Sequence, residues 1–235
     1  GSARNITYAW QNTNDIKDNM LYFLENHDEQ RVASDFFAGS ARKAIPGLVT
    51  SVLMQTNPFM LYAGEEYGEK GMDEEGFSGK DGRTTIFDYW SLDTLCRVET
   101  GELSAKELEI YQIHKKILGI ARKEKAIDGD FYDLMYVNPS SPRFNEYGQF
   151  AFLRKNDNEI LLIVSNFIGN AVDIDVNIPT HAIDFLSIPQ KTYVAKDLLT
   201  DDTMHITIKG DSVVKMVVPA YSARIWKFSY RQTKK

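Results

Sequence analysis

Glu25-Asn26-His27-Asp28 places two carboxylates, an amide and an imidazole in four consecutive positions, directly after the apolar run Leu21-Tyr22-Phe23-Leu24. A carboxylate and an imidazole presented side by side can hold two adjacent hydroxyls of a sugar. In glycoside cleavage the transition state is oxocarbenium-like, and bonds to the 2-hydroxyl strengthen as it forms. The same residue types also serve a plainer purpose. Asn26 or Asp28 suits the N-cap of a short helical turn starting at Glu29, and the tetrapeptide by itself does not separate the two readings.

The other chemically suggestive residues carry less. Glu65 and Glu66 are adjacent acids that could perturb each other's titration. On an extended chain, however, consecutive side chains point to opposite sides. That predicts one glutamate paired with a buried arginine and the other facing solvent. Tyr67, Tyr89 and Trp90 have faces that could stack on sugar or pin a loop. Asp73-Glu74-Glu75 lacks the ligand spacing of a calcium loop and reads as solvated surface. His114 falls inside a helix, and His181 and His205 show no metal-like spacing. There is no phosphate loop, zinc pattern or serine nucleophile elbow. No metal site and no cofactor is expected in this segment.

The elements that must position these residues fall into two textures. Leu21 to Asn26 reads as a buried parallel strand, its polar triplet at the C-terminal end, where α/β barrels place their chemistry. Ala44, Leu48, Val52 and Gln55 recur in steps of four, four and three and predict a helix over Ala41–Gln55, which Pro46 either opens or kinks. Asn57-Pro58 ends it. Phe59 to Ala63 is a second short buried strand, closed by Gly64-Glu65-Glu66-Tyr67-Gly68. A loop rich in Gly, Asp and Glu runs from Glu69 to about Trp90. Ser104 to Lys125 is a helix opened by a capping box, Ser104 with Glu107. Leu108, Tyr111, Ile113, Leu118 and Ala121 supply its apolar side. Ile6 to Trp10 reads as the tail of a helix that begins upstream.

After Asp128-Gly129-Asp130 the chain alternates apolar and polar residues. Strands are predicted over Tyr147–Arg154, Glu159–Val164, Val172–Ile178, Thr203–Ile208, Ser212–Val217 and Ala223–Phe228, with Asn156-Asp157-Asn158 as a hairpin turn. The expected fold is α/β followed by all-β. Residues 1–127 hold the last two strands and helices of a parallel barrel, and 128–235 an antiparallel β-sandwich.

Composition narrows the function classes. A formal net charge of −6 over 235 residues argues against general nucleic-acid binding, which wants a basic face. Cys96 is the sole cysteine, so no intrachain disulfide forms, and cytosol and periplasm both stay open. No apolar span of about 18 residues is present, so no membrane helix is expected. No signal peptide is visible. Gly1-Ser2 without a preceding Met reads as an expression scar, and the chain as part of a longer protein.

The order of motifs resembles the α-amylase family, glycoside hydrolase family 13. An apolar strand ends in Asn26-His27-Asp28 with Arg31 three residues on. About 30 residues later comes Pro58-Phe59-Met60-Leu61-Tyr62-Ala63-Gly64-Glu65-Glu66. Asp81-Gly82-Arg83-Thr84-Thr85-Ile86-Phe87-Asp88-Tyr89-Trp90 is similar to the family's loop after that strand. Val217-Val218-Pro219-Ala220-Tyr221-Ser222-Ala223-Arg224-Ile225-Trp226 is similar to its closing strands.

The resemblance implies strands seven and eight of a (β/α)8 barrel. It implies a retaining enzyme acting on α-glucosidic bonds of starch-like glucans. Asp28 would be the transition-state-stabilising carboxylate and His27 a hydroxyl ligand. Asn26, Tyr89 and Trp90 would complete the substrate contacts, with an α-glucan or maltooligosaccharide as partner. It implies calcium, if any, in the full-length parent, and an exported location slightly ahead of the cytoplasm.

The chain departs from the family in one respect. The nucleophilic Asp and acid/base Glu belong to strands four and five, and no Asp or Glu here sits in a matching motif. The isolated chain is expected to be inactive, its partner being the N-terminal barrel portion. Open strand edges and an exposed apolar face predict self-association or rearrangement. Rival readings are a non-catalytic carbohydrate-binding or interaction subunit, and a transglycosylase or isomerase of the same family.

Overall fold

The computed structural model describes residues 1–72, 80–84 and 92–231. Two compact units emerge, one from residues 21–52 and 57–119, the other from residues 1–20, 53–56 and 120–235.

In the first unit, β1 (Tyr22–Phe23) lies parallel to β2 (Phe59–Met60), with Tyr22 opposite Phe59 and Phe23 opposite Met60. Both strands are shorter than the apolar runs predict. A parallel ladder persists only where each backbone has a partner, and beyond Phe23 the chain gives its polar groups to a side-chain network described below. Between the strands, a 3-10 turn over Ala41–Ala44 leads into α2 (Ile45–Leu53). Pro46 is the second residue of α2, so it opens the helix instead of kinking it. Ile45, Leu48, Val49 and Val52 turn inward.

A further helix, α3 (Asp93–Thr100), falls where the sequence suggests none. Its start is held by a distant group, because Thr94 N donates to Glu69 Oε2 at 3.0 Å. Gly101 ends it in the left-handed region at φ 74°. α4 (Ala105–Lys123) begins with the predicted reciprocal box. Glu107 N donates to Ser104 Oγ at 3.3 Å, and Ser104 N donates to Glu107 Oε2 at 2.7 Å. Ser104→Ala is therefore expected to lower stability by about 1 kcal/mol, read as a lower urea midpoint. The buried stripe of α4 is Ile110, His114, Ile117 and Ile120, with Leu108 exposed. The predicted apolar side is thus rotated, because a buried polar residue, His114, occupies the centre of the true stripe.

The second unit holds α1 (Asn5–Thr13), which starts at Asn5 and not upstream, and α5 (Thr180–Phe185). Its strands are β3 (Asp130–Asp133), β4 (Gln149–Asn156), β5 (Glu159–Asn166), β6 (Val172–Ile178), β7 (Lys191–Asp197), β8 (Thr203–Ile208), β9 (Ser212–Val218) and β10 (Ser222–Ser229). Six form an antiparallel sheet in the order β3-β4-β5-β10-β7-β8, and β6 pairs antiparallel with β9. Asn156 faces Glu159 across the hairpin, so Asp157 and Asn158 make the turn, Asp157 at φ 48°.

The core sits on β4 and β5, where Phe150 to Leu153 and Ile160 to Val164 are all fully buried. Burial on both faces explains why these strands read as continuous apolar runs, while β6 and β9 alternate, with Ile174, Val176, Val214 and Met216 inward. Arg154 is buried among them; Nη1 donates to Met54 O at 2.9 Å and Nη2 to Ile127 O. Desolvation pulls its guanidinium down to about 10, against the attraction of Asp128 and Asp130. α1 is tied to β3, since Thr7 Oγ1 donates to Asp133 Oδ2 at 2.6 Å and the rings of Trp10 and Phe131 lie 4.9 Å apart. Among the described residues no helix is long and apolar enough to cross a membrane.

Candidate functional site

The segments that follow β1 and β2 leave the parallel pair in the same direction, and the polar residues lie on them. Asn26 is half-buried and organises the first turn. Its Oδ1 accepts from Asp28 N at 2.8 Å and from Glu29 N at 2.9 Å. The capping role anticipated for Asn26 is thus present, yet no helix starts at Glu29. The side-chain cap instead fixes a bend that turns the next two side chains outward. His27 and Asp28 are 54% and 76% exposed, with His27 Nε2 and Asp28 Oδ1 3.6 Å apart.

Under this bend lies a buried lock. Glu25 Oε1 accepts from Val32 N at 2.7 Å, and Oε2 accepts from Arg31 Nη1 at 2.9 Å. Arg31 is fully buried. Its Nη2 donates to Ala63 O at 2.8 Å, its Nε to Thr84 Oγ1 at 3.1 Å, and its guanidinium carbon stands 4.2 Å from the Tyr62 ring centre. One cation thereby ties the loop after β1 to the segment after β2 and to Thr84. Burial pushes the Glu25 carboxyl up, and Arg31 opposes the shift.

The backbone closes the same loop. Arg31 N donates to Gly82 O at 2.9 Å, and Gln30 bridges to Arg83. Gly82 has φ +77°, and a Cβ there would come within 2.1 Å of Ser34 Oγ, so only glycine fits.

Here the expected partnership of the glutamate pair is corrected. The buried arginine belongs to Glu25, six residues before it, and not to Glu65 or Glu66. Glu66 Oε2 accepts from Gly64 N at 3.1 Å. Glu65 is buried, and Tyr62 N donates to its Oε2 at 3.4 Å. Its Oε1 faces His114 Nε2 at 3.9 Å, and neither atom has a hydrogen-bond partner among the described residues. Burial first, and then the charge of Glu25, push the Glu65 carboxyl up to about 8. Desolvation pushes the His114 imidazole down.

Tyr67 stacks on Tyr111, ring centres 5.2 Å apart and 9° from parallel, and so pins its loop to α4. Tyr89, Trp90 and Asp73-Glu74-Glu75 lie outside the described residues. A cleft of about 900 Å³ in the same unit is lined by Asp35, Arg42, Lys70, Arg97 and Glu107 among others, and not by Asn26, His27 or Asp28. Six of its charges pair with one another, as Arg42–Glu109, Lys70–Asp35 and Arg97–Glu107. No group of three or more metal-ligating side chains occurs among the described residues.

No protein-family model matches the chain, and no curated protein matches it. Solved structures do. An α-amylase from Geobacillus thermoleovorans, solved with acarbose, is 18% identical at a TM-score of 0.66, over 99% of this chain and 44% of that one. A maltogenic α-amylase from Thermotoga neapolitana is 18% identical at a TM-score of 0.62, over 98% and 47%. A trehalose-6-phosphate hydrolase from Bacillus licheniformis is 18% identical at a TM-score of 0.56, over 89% and 43%. The likeness at this identity is one of fold. The chain spans less than half the length of these proteins.

Proposed function

We propose that this chain is the C-terminal portion of an α-amylase-type glycoside hydrolase that cleaves α-glucosidic bonds of starch-like glucans with retention. In the parent, residues up to 127 supply strands seven and eight of a (β/α)8 barrel, as β1 and β2, and residues 128–235 a β-sandwich. Residues 1–20, which hold α1, together with 53–56 and 120–127, are the parts of the first segment that group with the second. The observation that carries this reading is the bend after β1. A buried ion pair and an amide cap hold His27 and Asp28 side by side in solvent, at the strand end where parallel barrels do chemistry. The likeness of fold to α-amylases over 99% of the chain supports it.

In this reading Asp28 stabilises the oxocarbenium-like transition state through the sugar hydroxyls, and His27 binds the neighbouring hydroxyl. The nucleophile and the acid/base come from the rest of the parent, so the 235-residue chain hydrolyses nothing alone. Retaining cleavage needs both of those carboxylates, about 5–5.5 Å apart.

Asp28→Asn in the parent enzyme is expected to lower kcat by about 10²–10³-fold, the size of one lost electrostatic contact to the transition state. His27→Ala is expected to act mainly on KM, as loss of binding common to ground and transition states does. Steady-state kinetics on maltooligosaccharides measures both. An unchanged kcat in Asp28→Asn, or starch hydrolysis by the isolated chain, would sink the proposal.

A further inference from the structure

The second unit holds aromatic rings that the fold leaves in solvent. Tyr132 stands on β3, Tyr136 in the turn after it, and His181 and Phe185 on α5. Ala182 and Ile183 of that short helix, and Leu186 just after it, face the core, so His181 and Phe185, four residues apart, share its outer side. Tyr136 and Phe185 are 54% and 64% exposed. Tyr132 lies between its neighbours, with ring centres 6.3 Å from Tyr136, 5.9 Å from His181 and 5.6 Å from Phe185. The planes meet at 53° to 61°, so no ring lies flat on Tyr132.

Polar atoms run along the ring edges. The hydroxyls of Tyr132 and Tyr136 are 2.9 Å apart, and the Tyr136 hydroxyl bonds His181 Nε2. Asp211 Oδ1 accepts from Thr180 N at 2.7 Å and Thr180 Oγ1 at 2.9 Å, beside His181.

The mixture selects a ligand chemistry. Open ring faces bordered by hydroxyl, imidazole and carboxylate match a molecule with apolar C–H faces and a rim of hydroxyls. A nucleic acid would instead require cations, and the charges acting on Tyr136 are the carboxylates of Asp133 and Asp211. A purely apolar partner would strip water from the Asp211 carboxylate beside the rings. We propose that Tyr132, Tyr136, His181 and Phe185 form a second carbohydrate site, which binds a glucosyl segment of a polyglucan with residues other than those of the His27–Asp28 rim. This rests on the glucan reading above.

Native electrophoresis of the 235-residue chain in gels containing amylopectin tests it. The chain is expected to be retarded. Tyr136→Ala with Phe185→Ala should weaken binding at least about tenfold, a larger loss than His27→Ala with Asp28→Asn produces. Phe185→Ser alone keeps the hydroxyl–imidazole chain intact and should weaken binding to a smaller degree. Circular dichroism checks that the variants fold. Retardation lost with the rim pair and kept in the aromatic pair would overturn the second site while supporting the rim. No retardation of the unaltered chain would also overturn it, and the kinetics of Asp28→Asn in the parent then judges the rim separately.

Discussion

Replacing Arg31 with alanine is expected to destabilise the first unit by about 3–5 kcal/mol, the usual effect of removing one partner from a buried ion pair. The truncation strands the Glu25 carboxylate, which is buried, and deprives Ala63 O and Thr84 Oγ1 of their donors. Glu25→Gln should come close to the same loss. The new amide can still take the bond from Val32 N, but it leaves the guanidinium buried without a counter-charge. The double variant Glu25→Gln with Arg31→Gln removes both charges together. It should recover part of the loss, giving a favourable coupling in a double-mutant cycle. Urea unfolding followed by tryptophan fluorescence, with the 22–34 backbone amides tracked by NMR, separates loss of the lock from general unfolding. Unchanged midpoints in both single variants would refute the idea that this pair holds the bend bearing His27 and Asp28.

How much of this was legible depended on whether the deciding contact was local. The ends of β6 and β8 follow the alternation residue for residue, because one face of each is buried and the period alone marks it. The capping box at Ser104 was legible for the same reason: its two bonds close within four residues. β3 escaped, since Asp130-Phe131-Tyr132-Asp133 is brief and bounded by acids. β7 escaped because only Tyr193, Ala195 and Asp197 point inward, between lysines and a threonine. α3 could not be seen in its own residues, as its first turn is satisfied by Glu69, 25 positions earlier in the chain.

At the site, the trio was legible as residue types, and Asn26 as a cap. The lock beneath it was misassigned. Adjacent glutamates after β2 looked like the natural partners for a buried arginine, whereas the chain folds Arg31 back onto the glutamate that precedes the bend. The contact between Glu65 and His114 joins the end of β2 to α4, and no local pattern encodes it.

Burial of Glu65, and after it the charge of Glu25, makes the protein's stability fall with rising pH, and Glu65→Gln is expected to remove the fall. Glu65 titrates at about 8 in the folded chain against an ordinary 4.5. Between those values the folded state holds a proton that the unfolded state has released, so stability declines by up to about 1.4 kcal/mol per pH unit. The whole effect is at most about 4–5 kcal/mol, fully present below the unfolded value and lost once the folded value is passed.

Burial is the first cause, and the contact with His114 works in the same direction. His114 Nδ1 lies 2.9 Å from Ile110 O, and a carbonyl can only accept, so Nδ1 carries hydrogen and a neutral imidazole turns a lone pair toward Glu65 Oε1. A proton on Glu65 lets the two atoms attract, and its loss sets a buried carboxylate against that lone pair. Glu25 adds repulsion, while Arg31 and the bond from Tyr62 N relieve only part of it; Glu66 pushes the same way as Glu25. His114, depressed by burial, resists protonation in the folded chain and so costs stability on the acid side, below its ordinary 6.5. Glutamine at 65 keeps a donor toward His114 and cannot ionise. Urea midpoints taken from pH 6.5 to 9, above the range where His114 acts, should therefore slope downward in the unaltered chain, run much flatter in Glu65→Gln, and favour the variant at pH 9. Equal slopes in the two proteins would show that titration of Glu65 does not govern alkaline stability.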